Sequence, residues 1–238
     1  MLENNINIEG IGSIREGQYE AITIDGVGTI QGDISVKRIE VNGKSKALGK
    51  ISCNEMDVNG LLSTYDDIKV KENCNVNGYC KTKGTIKGKF FEVNGRVNVE
   101  KEVSFDNIKV SGELFVNGNC QCEDLYLDGR MKISGLLSGD NLDLNISKVN
   151  EIKEIGGEKV SVKKNKTIYK LLFFSKERNA KLICDEIEAD EIYLENTYCN
   201  IVRGRNITIG DGCVLNKIEY TGEINITGKS EIKEKVYL

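Results

Sequence analysis

The chain has 238 residues and a formal charge of −4, and it contains no proline, tryptophan or histidine. An acidic chain offers no general electrostatic basis for binding nucleic acid. Abundant Gly, Asn and β-branched residues favour short strands and tight turns over helices. No apolar run approaches the ~20 residues that cross a bilayer, and residues 1–10 do not resemble a signal peptide. We therefore expect a cytoplasmic, all-β protein.

The first 22 residues predict an imperfect strand-rich segment. Ile6, Ile8 and Ile14 alternate with polar or glycine residues, and Gly10 precedes Gly26 by 16 residues. Terminal units of repeat proteins are commonly atypical, so we interpret this segment as a capping first coil.

An apolar-polar-Gly triplet then recurs, as in Val93-Asn94-Gly95. Its glycines, separated by 17, 17, 18, 17, 17 and 17 residues, are Gly26, Gly43, Gly60, Gly78, Gly95, Gly112 and Gly129. In the row from Glu92 to Ile108, apolar residues come in three pairs two positions apart, the pattern of strands with one buried face. Three such strands per row predict a single-stranded parallel β-helix, a triangular solenoid with ~17 residues per coil.

Glycines also recur near the tenth position of each row, where we expect a second corner with positive φ. They are Gly32, Gly49, Gly84, Gly118 and Gly135. The third corner should hold the extra residue of the 18-residue row, around Lys71-Glu72-Asn73.

The residue before each triplet glycine is polar, and stacked Asn side chains can hydrogen-bond from coil to coil. We predict a structural corner ladder rather than a ligand site. Its members include Asn42, Asn59, Asn77 and Asn94.

Chemistry-bearing residues point to no catalytic, cofactor or metal site. Cys53, Cys74, Cys80, Cys120 and Cys122 fall at inward positions, where thiols act as small hydrophobes, and the chain has neither CxxC pairs nor histidine. Outward Asp and Glu form no convergent pair.

At the fifteenth position of the rows, however, the charge changes sign from basic (Lys37, Lys71, Lys89) to acidic (Asp106, Glu123, Asp140). This stripe indicates a solvated face or a side-by-side contact between solenoids.

The segment from 163 to 181 interrupts the pattern. It carries an apolar run, Leu171, Leu172, Phe173 and Phe174, flanked by Lys163, Lys164, Lys166, Lys170, Lys176, Arg178 and Lys181. One interpretation is shallow insertion into an anionic membrane surface or contact with a partner. The other is a helix or loop that covers one side of the β-helix.

Residues 182–238 return to coils. We therefore divide the chain into β-helix coils at 1–164, an insert at 165–181 and further coils at 182–238, with eleven to twelve coils in all. Unpaired strands at the ends of a β-helix can template another chain. The apolar residues we assign to such assembly ends are Ile6, Ile8 and Ile14, and Ile224, Ile226, Ile232, Val236 and Leu238.

The rows, together with Glu151 to Lys164 (EIKEIGGEKVSVKK) and Ile187 to Gly212, resemble the Firmicutes-type bactofilins, a family of bacterial cytoskeletal proteins. The resemblance implies a right-handed β-helix that polymerises end to end, without nucleotide, into cytoplasmic filaments near the membrane.

We therefore expect a non-enzymatic scaffold of the bactofilin type whose main partner is itself, with the membrane surface or cell-envelope proteins as further partners. The alternatives are a monomeric or dimeric β-helix adaptor that binds a membrane or protein and, less favoured, an enzyme acting on polysaccharide.

Overall fold

The computed structural model describes residues 5–165 and 180–238. Within these ranges every regular element is a strand, and the fold is a parallel β-solenoid of about 13 turns with about 17 residues per turn. The predicted fold class is confirmed, with slightly more turns than the eleven to twelve expected. The chain forms two compact units, Met1–Gly118 and Asn119–Leu238.

The first unit consists of short strands, mostly of four or eight residues. They are β1 Ile6–Ile8, β2 Ile11–Ile14, β3 Gly17–Ile24, β4 Val27–Ile30, β5 Ile34–Val41, β6 Lys44–Ala47, β7 Ile51–Val58, β8 Leu61–Thr64, β9 Ile68–Val70, β10 Asn73–Val76, β11 Tyr79–Thr82, β12 Ile86–Val93, β13 Arg96–Val99, β14 Val103–Val110 and β15 Glu113–Val116. Each pairs in parallel with strands one repeat away.

The register stacks equivalent residues of successive repeats. Val41 pairs with Val58, Val58 lies opposite Val76, and Val76 lies opposite Val93. All four valines are fully buried. The predicted inward columns are thus confirmed, and the core is a set of apolar stacks that run from coil to coil.

The triplet glycines are required by close packing of the backbone. A Cβ atom on Gly95 would overlap the carbonyl oxygen of Gly78, and the same holds for Gly78 against Gly60.

The prediction of positive φ at the tenth position is wrong, because Gly32, Gly49, Gly84 and Gly118 all lie outside the positive-φ region. Glycine is needed there for space. A Cβ on Gly49 would lie 2.5 Å from the carbonyl carbon of Gly32.

The extra residue of the 18-residue row lies at the predicted corner. Cys53 pairs with Val70 and Met56 pairs with Cys74. The chain therefore advances three residues in one coil where it advances four in the next. The added residue opens the corner and ends β9 before β10 begins.

In the second unit several strands continue around corners and are longer. They are β16 Cys120–Gln121, β17 Asp124–Leu127, β18 Arg130–Ile146, β19 Val149–Lys164, β20 Lys181–Leu194, β21 Thr197–Ile209, β22 Val214–Tyr220, β23 Ile224–Ile226 and β24 Glu231–Tyr237. Val149 pairs with Lys181 and Val162 with Leu194, so the strands before and after residues 166–179 are direct neighbours.

One fully buried polar side chain in this unit has no counterpart in the repeat pattern. Asn150 accepts a hydrogen bond from the backbone N–H of Met131 at 2.6 Å and donates one to the carbonyl of Lys148 at 3.1 Å. The amide thereby satisfies backbone groups inside the turn, which offsets the cost of burying it.

Candidate assembly surfaces

The corner asparagines of the first unit form a hydrogen-bonded ladder. Asn94 donates through Nδ2 to Oδ1 of Asn77 at 3.0 Å, and the same bond, at 2.8 Å, joins Asn77 to Asn59 and Asn59 to Asn42. The ladder ends where Asn42 donates to a carboxylate oxygen of Asp25 at 2.8 Å. Because an ionised carboxylate only accepts, Asp25 fixes the direction of all the donors.

Outward carboxylates at the first position of the rows are engaged with neighbouring coils. Asp57 accepts from Asn75 at 2.9 Å and from Arg38 at 3.1 Å, and Lys109 binds Glu92 at 2.8 Å. These contacts tie coils together along the surface.

All eight cysteines are buried and reduced. Burial raises the pKa of Cys53 and of Cys80 to about 12. Burial also raises the pKa of Cys122 to about 12, with further contributions from Asp124 and Asp140. These thiols therefore stay protonated at physiological pH and act as core hydrophobes. Within residues 5–165 and 180–238, no group of three or more Cys, Asp or Glu side chains is placed to hold a metal ion.

The part of the chain that the structure describes has no helix with the length and apolar character needed to span a membrane. Most of the predicted membrane or partner contact lies outside the described residues, namely Leu171, Leu172, Phe173, Phe174, Lys166, Lys170, Lys176 and Arg178.

The three described basic residues of that segment belong to β19 and β20 and contact other side chains of the second unit. The Lys163 ammonium is 6.0 Å from the Tyr193 ring, and that of Lys181 is 4.4 Å from the Tyr198 ring. The Lys164 N–H donates to Glu195 at 2.9 Å. Lys163 and Lys164 also line a polar groove of about 320 Å³.

The turn formed by β23 and β24 has no buried residue. Ile224 and Ile226 continue the column of the buried Ile207 and Ile209. Ile232 likewise follows the buried Leu215. Side chains that belong to the core columns are thus covered on one side only, and Ile226 is 42% exposed.

Two of the predicted end residues do not continue the core columns. Val236 pairs with Glu219 on the outward side, whereas Lys235 lies opposite the buried Ile218 and so takes the inward position. Leu238 is 65% exposed and lines an outer groove. The sequence pattern misplaced Val236 because alternation from Ile232 is broken by a corner between the two residues.

The first described coil presents less apolar surface than β23 and β24. Ile6, Ile8 and Ile14 pair with Ile22, Ile24 and Ile30 and face inward. Ile8 and Ile14 are themselves buried, and Ile6 is half-buried.

Ile11 faces outward and is 92% exposed. The sequence pattern did not identify it, although an isoleucine directly after a corner glycine was a visible signal.

The fold defines the molecule as a parallel β-solenoid. Comparison with known proteins shows sequence similarity to two proteins. The chain is 40% identical over 105 residues to the uncharacterized protein YhbF of Bacillus subtilis (strain 168), covering 44% of this chain and 42% of that protein. It is 31% identical over 108 residues to the uncharacterized protein YhbE of the same organism, covering 45% of each. The chain thus matches less than half the length of these curated relatives. No family model and no solved structure matches the chain.

Proposed function

We propose that this protein is a non-enzymatic, self-assembling scaffold of the bactofilin type. The observation that carries the proposal is the uncovered apolar turn of β23 and β24. Within the described residues these strands pair only with β21 and β22, so their other edge offers unpaired N–H and C=O groups. Such an edge is a template for a further strand.

A second copy fits this edge because its first coil repeats the same geometry. Within the described chain β1 and β2 pair only with β3 and β4, and their inward residues are Ile6, Ile8, Gly12 and Ile14. Stacking the two edges would extend the core columns from Ile224 and Ile226 onto Ile6 and Ile8. Covering each half-exposed isoleucine stabilises the contact by about 1 kcal/mol, and the paired backbone adds to it.

The position of Lys235 limits how tightly this contact can close. A lysine in the inward column has to reach out to solvent when a second copy stacks on it, as charged residues at sheet edges commonly do to restrain association. We infer a reversible, concentration-dependent polymer that needs no nucleotide. We propose that this polymer lies in the cytoplasm, at or near the inner face of the membrane.

Electron microscopy of the purified chain over a range of protein and salt concentrations tests the proposal. We expect filaments whose number rises with protein concentration. Discrete particles in every condition would contradict it and would favour a monomeric or dimeric adaptor. As a control, addition of ATP or GTP should leave filament number unchanged.

A further inference from the structure

Neighbouring coils of the solenoid are tied together by opposite charges. Lys109 lies opposite Glu92 in the next coil and contacts it at 2.8 Å. In the second unit Lys132 lies opposite Glu151 and contacts it at 2.7 Å. An acid facing a base across adjacent strands is the stabilising arrangement.

One surface of the first unit departs from this arrangement. We define the lysine face as four exposed lysines on two successive coils, Lys69, Lys71, Lys87 and Lys89. Lys87 lies directly opposite Lys69. None of the four contacts a carboxylate within 4.0 Å anywhere in residues 5–165 and 180–238. Two acids lie beside the face, Glu72 after Lys71 in the chain and Asp106 across from Lys89 in the next coil, so the face keeps a positive excess.

The second unit contains the opposite arrangement. We define the acidic ridge as four exposed carboxylates, one from each of four successive coils, Glu123, Asp140, Glu158 and Asp190. The register stacks them, since Asp124 pairs with Asn141, Gly139 with Gly157, and Gly157 with Ala189. None of the four has an ion-pair partner in the described part of the chain. Lys159 and Arg205 border the ridge.

Like charges directly opposite each other on neighbouring strands destabilise a sheet. Lys69 and Lys87 face each other in this way, and so do the successive carboxylates of the ridge. We propose that the lysine face of one copy binds the acidic ridge of a second copy in a side-to-side contact. This inference rests on the proposed self-assembly and names a second interface for it.

The two surfaces have the same coil-to-coil spacing. Strand pairing sets the spacing between coils at about 4.8 Å in both, so two rows of lysines meet two successive carboxylates in register. A lipid surface has no such period, which favours a second copy as the partner. Because the two patches differ, the contact is heterologous and can recruit further copies.

Charge reversal and mixing test this contact. Variant A changes the four lysines of the face to Glu, and variant B changes the four carboxylates of the ridge to Lys. The matched control changes four exposed lysines elsewhere in the first unit, Lys44, Lys46, Lys83 and Lys101, to Glu. Filament width is read by electron microscopy and association by sedimentation velocity at about 50 mM and 500 mM NaCl, with circular dichroism to confirm folding.

We expect variants A and B alone to lose bundling and to weaken low-salt association by about tenfold or more, while the control keeps both. An equimolar mixture of A and B should restore the contact, because each variant then supplies the charge that the other lacks. Bundles that persist in A, or a mixture that stays apart, would overturn the inference.

Two further outcomes separate this inference from the proposed function and from lipid binding. Single filaments of unchanged width in the wild type and in all variants would overturn the side-to-side contact and leave end-to-end assembly standing. If variant A differs from the control only in binding to phosphatidylglycerol vesicles, the lysine face belongs to a membrane and the inference fails.

Discussion

Gly95 lies so close to Gly78 in the preceding coil that a Cβ atom on Gly95 would overlap the carbonyl oxygen of Gly78. The backbone N–H of the following residue, Arg96, donates to that same oxygen at 2.9 Å. The corner therefore combines a coil-to-coil hydrogen bond with a spacing that leaves no room for a side chain.

Gly95→Ala should lower the stability of the first unit by about 2–4 kcal/mol, because the corner has to move to admit a methyl group. The matched control is Gly10→Ala, since nothing lies within 4 Å of a Cβ at Gly10. Thermal unfolding followed by circular dichroism should show a clear drop for Gly95→Ala and little change for Gly10→Ala. Equal melting temperatures in the two variants would contradict the close-packed corner.

Val93→Asp should cost several kcal/mol, because the fully buried Val93 stacks between core residues and a carboxylate there has no partner. Ser104→Asp introduces the same group at an exposed position of a neighbouring strand and should change stability little. Urea unfolding of both variants compares the two positions. A Val93→Asp protein as stable as the wild type would reject the register.

Asn59→Ala removes two rungs of the corner ladder, since Asn59 donates to Asn42 and accepts from Asn77 at 2.8 Å each. The loss should be about 1 kcal/mol, the net value of one or two exposed hydrogen bonds. Asn117→Ala, at another exposed position of the same unit, is the control. If both variants unfold at the same urea concentration, the ladder contributes nothing to stability.

Alkaline pH should destabilise the protein through its buried cysteines. Burial raises the pKa of Cys53 and of Cys80 from 9.0 to about 12. Above pH 9 the thiols of the unfolded chain lose their protons while those of the folded chain keep them, so stability falls as pH rises from about 9 to 12. Urea midpoints at pH 7.5 and about 10.5 under reducing conditions measure the fall.

Other groups also titrate at high pH, so a double variant isolates the thiols. Cys53→Ala with Cys80→Ala should be less stable than the wild type at pH 7.5 and should lose less stability on going to high pH. An identical fall in the variant would show that these thiols do not carry the effect.

The repeat made most of the core predictable from sequence. Stacked equivalents such as Val41, Val58, Val76 and Val93 repeat with a nearly constant step, and a period of two within each row sets which side faces inward. Asn150 was not predictable, because its burial depends on backbone groups of the neighbouring coil. A glycine column alone also does not distinguish a need for positive φ from a need for space, which is why the expectation at Gly49 was wrong.

The candidate surfaces were predictable only in part. The sign change at the fifteenth position pointed to Lys71, Lys89, Glu123 and Asp140. Lys69 and Lys87 come from a different position of the row, and Glu158 and Asp190 lie beyond the regular triplets. Only the register of the structure places them beside the others.

The proposed end-to-end assembly is tested most directly by sedimentation velocity of Ile224→Lys with Ile226→Lys, compared with Asn225→Lys. Asn225 lies between the two isoleucines on the same strand but pairs with Thr208 on the outward side. We predict that the double variant sediments as a folded monomer at concentrations where the wild type and Asn225→Lys form large assemblies. Assemblies of undiminished size in the double variant would contradict the account.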